Sequence, residues 1–100
     1  MRKLFVRPQA RLDLLEVWHQ IAADSPSTAD KVFQRIESEI RDLMEMPGKG
    51  HWRSDVRDVR YGFWTVYSYV VAYRYDETTS TVVRVIHGRR DFRKLFKRQP

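Results

Sequence analysis

The apolar residues of this chain change their spacing once, near residue 62, and that change limits what the chain can fold into. Before it, Ala10, Leu14, Val17, Trp18 and Ile21 recur at helical spacing, and Leu12, Leu15 and Ala22 widen the stripe. A second helical face follows in Ala29, Val32, Phe33, Ile36, Ile40, Leu43 and Met44. After it the period is two, and Phe63–Tyr67, Tyr69–Tyr75 and Thr81–His87 read as strands. Lys3–Val6 reads as a short opening strand stopped by Pro8, which lacks the N–H a central strand needs but suits the first turn of a helix. The order is β-α-α-β-β-β. It predicts an α+β domain over residues 1–100, with a helical hairpin packed on a small antiparallel sheet.

The boundaries carry their own signals. Arg7 is a poor N-cap, so the first helix relies on packing for its start, and it should end near Ala23. Ser25 before Pro26, or Ser27 with Asp30 three residues on, caps the second helix, and Met46-Pro47-Gly48 ends it. Residues 49–62 have no sustained period and read as a loop anchored by Trp52, Val56 and Val59. Asp91–Arg98 can add a helical turn or two, with Phe92, Leu95 and Phe96 on its apolar side.

Neither face of the sheet is plainly polar. Tyr69, Val71, Tyr73 and Tyr75 face one way and Val70 and Ala72 the other. In the last strand, strict alternation groups Val83 and Val85 with His87, and Val82 and Ile86 with Arg84. A sheet with one solvated face alternates cleanly, so the second face is expected to be covered by the C-terminal tail or by a partner chain.

Charge is uneven. Residues 1–47 carry 7 basic and 8 acidic side chains, and residues 48–100 carry 12 and 5, so the whole net charge of +6 comes from the second half. Such a field favours acidic partners, either nucleic acid or an acidic protein segment. The absence of cysteine excludes disulfides and thiolate metal sites, and no apolar run approaches the length of a membrane span. A cytoplasmic protein without cofactor or metal is expected. His19 and His51 have no ligand companions at useful spacing. Asp55 and Asp58 alternate with Arg53, Arg57 and Arg60, which suits a self-paired loop at least as well as a carboxylate pair. At the end of the last strand, His87, Arg89 and Arg90 sit either on a rigid functional support or on a solvated charged end, and Asp91 pairs locally or caps the final turn.

Several fragments, taken in order, resemble the RelE/ParE superfamily of type II toxin–antitoxin toxins. They are the opening strand into Pro8, the helix bearing Ala10, Asp13, Leu14, Glu16, Trp18 and Ile21, and the helix end with Leu43, Met46, Pro47 and Gly50. The WRSDVRDVRYG loop and the VVAYRY segment leading to VVRVIHGRRD complete the set, and the RVIHGRRD ending looks more like the ParE branch. The resemblance implies a toxin that poisons DNA gyrase and is neutralised by a cognate antitoxin. Target contacts would fall to Arg89, Arg90, Asp91, Arg93, Arg57 and Arg60, and antitoxin contacts to Trp52, Trp64, Tyr73, Tyr75 and Arg84. The RelE branch implies instead a ribosome-dependent mRNA nuclease, for which His87, Arg57, Arg84 and Arg89 would be the catalytic candidates. That toolkit is incomplete on paper, because Phe92 and Phe96 stand where a hydroxyl or imidazole would be needed. A non-catalytic nucleic-acid-binding module ranks last, since a basic patch alone supports only sequence-independent phosphate binding.

Overall fold

Pro8 opens the first helix, α1 (Pro8–Ala22), in a computed structural model that describes residues 2–96. Arg7 contributes no side-chain cap, as its chemistry suggests. Ser25 rather than Ser27 caps α2 (Pro26–Glu45), its Oγ accepting the Thr28 N–H at 3.3 Å. Pro26 fills the first helical position, where a missing N–H costs nothing. A 3-10 turn over Pro47–Lys49 follows α2. Asp91 caps a short α3 (Phe92–Leu95), accepting the Lys94 N–H at 3.2 Å. The expected extension of this helix through Lys97 and Arg98 lies outside the described residues.

The strands are β1 (Lys3–Val6), β2 (Tyr61–Val66), β3 (Tyr69–Tyr75) and β4 (Thr79–His87), in the spatial order β1-β4-β3-β2. Short links make β2, β3 and β4 antiparallel, as expected. β1, however, lies parallel to β4, so the sheet is mixed. No tight turn joins these two strands, and β1 leads directly into α1, so nothing forces an antiparallel pairing.

One irregularity overturns the strict alternation expected of β4. Ala72 pairs with Arg84 and Tyr73 with Val82, leaving Val83 as an extra residue. A bulge of this kind reverses the facing of all that follows. Val82 therefore joins Val85 in the core beneath the helices, while Arg84 shares its face with Ile86.

Two cores result, one on each side of the sheet. The first joins Ala10, Leu14 and Val17 of α1 and Ile36, Ile40 and Leu43 of α2 to Val71, Tyr73, Val82 and Val85. The second gathers Val56, Phe63, Val70, Ala72, Ile86 and Phe92, with Leu95 and Phe96 against it. The chain's own C-terminal helix thus covers one end of the second face. Within the loop only Val56 is buried; Trp52 and Val59, expected as anchors, are 61% and 74% exposed. Leu12 and Leu15 also lie outside the α1 stripe, more than half exposed.

The surprise on α1 is Asp13, which is 4% exposed among apolar residues. Its carboxylate accepts from Arg84 Nε at 2.7 Å, Arg84 Nη2 at 3.1 Å, the Val85 N–H at 2.9 Å and Gln9 Nε2 at 3.2 Å. β1 stops pairing at Val82, so β4 beyond that point has an uncovered edge, and Asp13 satisfies it. Breaking a buried pair from one side strands the other charge. Asp13→Ala should therefore lose about 3 kcal/mol or more of unfolding free energy in urea titrations, and Asp13→Asn, which keeps an acceptor for Val85, should lose less.

Candidate functional site

β4 runs the length of the sheet, and functional candidates gather at its two ends. At its C-terminal end, the Gly88 N–H donates to Ser68 O at 2.8 Å, tying the exit of β4 to the β2–β3 turn. That turn contains Tyr67 at φ 55°, a conformation that costs a non-glycine residue energy. Arg89, Arg90, Asp91 and Arg93 are exposed here. His87 is half-buried, its ring edge-on to Tyr69 at 5.5 Å, and its Nδ1 accepts the Arg89 N–H at 3.1 Å. This bond fixes the neutral ring as the Nε2–H tautomer. Phe92 is 1% exposed, so it faces the second core rather than any site.

Arg84 is not free at that end, because its guanidinium is held by Asp13. Arg57 is exposed in the loop. Arg60 lies by the opposite end of the sheet, since Tyr61 next to it pairs with Arg74, and Arg74 with Thr81. Six strand steps of about 3.3 Å separate Thr81 from His87, about 20 Å in all. The expected target-contact residues are therefore divided between two ends rather than assembled in one patch.

The loop is self-paired. Arg53 forks onto Asp55 at 2.9 and 2.8 Å, and its guanidinium lies 3.7 Å from the centre of the Phe92 ring. The Arg53 hydrogen bonds hold the Asp55 carboxyl below the usual range. Arg60 forks onto Asp58 at 2.9 and 2.7 Å and adds its own N–H at 3.0 Å, and together these bonds lower the Asp58 pKa to about 2. Among the described residues, no three acidic or imidazole side chains come together as a metal site.

The expected antitoxin contacts differ widely in access. Trp52 and Tyr75 are 61% and 48% exposed. Trp64 is half-buried, donating to Glu39 at 3.3 Å, stacked on His51 at 5.8 Å, and covered by Lys49 Nζ at 4.5 Å. Tyr73 is 2% exposed, and its hydroxyl donates to Pro47 O and accepts the Gly50 N–H at 3.1 Å. Burial pushes its pKa up, so it stays a donor. Gly62 leaves room for this ring; a Cβ there would lie 2.7 Å from Tyr73 Cζ. Tyr73 is thus a strut between the sheet and the end of α2.

Two features were missed in the sequence. An apolar groove of about 520 Å³ runs between β1, α1 and α2, lined by Leu4, Val6, Leu14, Leu15, Phe33 and Ile40 and rimmed by Arg11, Glu37 and Arg41. The signal was Leu15, which widens the α1 stripe beyond what one face buries. A second, basic cleft brings Arg7 and Arg74 to Arg60. No sequence signal linked these three, because strand pairing alone unites them. No helix among the described residues is long and apolar enough to cross a membrane.

Comparison with known proteins adds a family. The family model described as ParE toxin of type II toxin-antitoxin system, parDE, matches residues 4–92. A solved structure described as the chromosomal ParDE TA system from P. aeruginosa superposes with a TM-score of 0.72 at 19% sequence identity. The match covers 87% of this chain and 96% of that one. Among curated proteins, none matches the sequence.

Tyr73→Phe should keep the packing yet leave Gly50 N–H and Pro47 O unpaired, costing about 1–3 kcal/mol by chemical denaturation. Because Asp58 is held low, its stabilising contribution is present above the ordinary carboxylate pKa and is lost as pH falls through about 2. Melting curves of Asp58→Asn should therefore lie below those of the parent protein above about pH 4 and converge with them in stronger acid.

Proposed function

The chain belongs to the ParE toxin family of type II toxin–antitoxin systems, and on that premise we propose that it arrests growth by poisoning DNA gyrase in the cytoplasm until a cognate antitoxin neutralises it. The observation that carries this reading is the end of β4. Arg89, Arg90 and Arg93 are exposed just past a strand exit that Gly88 ties to Ser68, while His87 spends Nδ1 on a backbone N–H and Phe92 is packed away. Trapping a DNA-cleavage intermediate requires surface complementarity and no proton transfer by the toxin. A cationic, well-anchored turn meets that need; cleavage of RNA would need a placed acid and base as well.

The antitoxin part of the proposal rests on the groove between β1, α1 and α2. Its width and apolar lining suit an amphipathic segment laid across the helical hairpin, and Arg11 and Arg41 on its rim suit acidic residues in that segment. Trp52 and Tyr75 offer exposed aromatic contacts nearer the sheet. Tyr73 and Arg84, being engaged internally, would act on antitoxin binding by holding the surface in shape.

Purified protein should inhibit ATP-dependent supercoiling and raise the yield of linear DNA when gyrase is present, and should leave mRNA on translating ribosomes intact. Arg89→Ala with Arg90→Ala should relieve growth arrest with little change in melting temperature, since both side chains are exposed. His87→Gln should change toxicity only modestly. Ribosome-bound mRNA cut within a codon, with the cut abolished in His87→Gln, would overturn the gyrase reading in favour of a nuclease.

A further inference from the structure

The second face of the sheet is covered at one end only. α3 and Val56 lie over Val70, Ala72 and Ile86, whereas Thr79 and Thr81, at the start of β4, remain half-exposed. Over these threonines opens a cleft of about 330 Å³, lined by Arg7, Arg60, Arg74 and Tyr75, with Asp76 as the one acidic residue among the described lining.

The charge balance in this cleft is unusual. Asp76 does not pair with its arginines, because its Oδ1 accepts the Thr78 and Thr79 N–H groups at 2.9 Å each and so shapes the β3–β4 turn. Asp58 occupies only the Nε–Nη2 edge of Arg60, leaving the Nη1 donors. Among the described residues, Arg7 and Arg74 have no carboxylate within ion-pair distance. Arg74 is nevertheless positioned, its guanidinium 5.7 Å from the Tyr61 ring centre. Like charges that share a cleft repel one another, and a bound anion relieves that repulsion.

The donors available describe the anion. Planar guanidinium forks match the tetrahedral oxygens of a phosphate, and the hydroxyls of Thr79 and Thr81 add further donors. The cleft is wider than one phosphate requires and open to solvent, which leaves room for successive phosphates of one strand. We propose that this cleft holds the phosphate backbone of a nucleic-acid strand, without sequence preference. It lies about 20 Å along β4 from Arg89 and Arg90, so it is a second contact surface, and it does not depend on gyrase being the target.

The test is a nitrogen–proton NMR titration of the purified protein at low salt, with single-stranded oligothymidylate in one arm and inorganic phosphate in the other. Oligothymidylate should shift the amides of Thr79 and Thr81 and the Arg74 Nε–H, and phosphate should compete for the same signals. Arg7→Gln with Arg74→Gln should weaken oligonucleotide binding about tenfold or more, while Arg74→Lys should retain part of it. Neither change touches the Arg7 N–H bond to Val82 O, and the spectra themselves report folding. Arg89→Gln with Arg90→Gln should leave the Thr79 and Thr81 shifts in place. Shifts confined to residues 89–93, or shifts at Thr79 that survive in the Arg7/Arg74 variant, would overturn the proposal. Shifts with phosphate but none with oligothymidylate would overturn it in favour of a small phosphate ester.

Discussion

A single buried carboxylate reconciles the two layers of this molecule. Asp13 lies on the apolar stripe of α1, where a charge costs several kcal/mol unless it is fully hydrogen-bonded. It meets that condition with four donors, two of them from Arg84 and one from the backbone of Val85. The backbone bond arises because β1 is too short to pair with β4 along its whole length. A strand edge that would otherwise hold an unpaired N–H beneath a helix is closed by that helix. This fixes the position of α1 along β4, and so the alignment of the hairpin over the sheet.

Covering one face of the sheet and one end of the other with its own chain lets a small protein fill two cores. Beside the second, Arg53 is anchored by Asp55 and places its guanidinium 3.7 Å from the centre of the Phe92 ring, which joins the loop to the one-turn helix. The helical layer and β1 carry nearly balanced charge, while the excess sits on the sheet and its connections. Apolar groove and cationic ends therefore occupy different parts of the surface, and a protein partner and a polyanion need not compete.

What could be read in the sequence was local. Element order, the Pro8 start of the first helix and the two-sided strands follow from spacing and side-chain chemistry within a few residues. The same chemistry narrows the cap of the second helix to Ser25 or Ser27 and gives Asp91 as a cap or a local ion pair. What could not be read was decided at long range. The parallel β1–β4 pairing joins residues more than seventy positions apart. The burial of Asp13 had a faint signal, an acid three residues after Ala10 on the apolar stripe, but its partner Arg84 is in another element. Arg7, Arg60 and Arg74 converge only through strand register, and Tyr73, expected as an antitoxin contact, is buried with its hydroxyl bonded to Pro47 and Gly50, more than twenty positions away.

The extra residue at Val83 has a consequence for how such a scaffold can diversify. Upstream of it, β4 is bound to β1 and to the floor of the basic cleft; downstream, it presents His87 and the arginine turn. The bulge offsets the two segments by one residue, so that Val82 upstream and Val85 downstream enter the same core. Gain or loss of one residue at that point would reverse the facing not only of His87 but also of Val85 and Ile86, which would exchange cores. A lineage built on this frame can therefore reorient the exit of β4 only by repacking both cores with it.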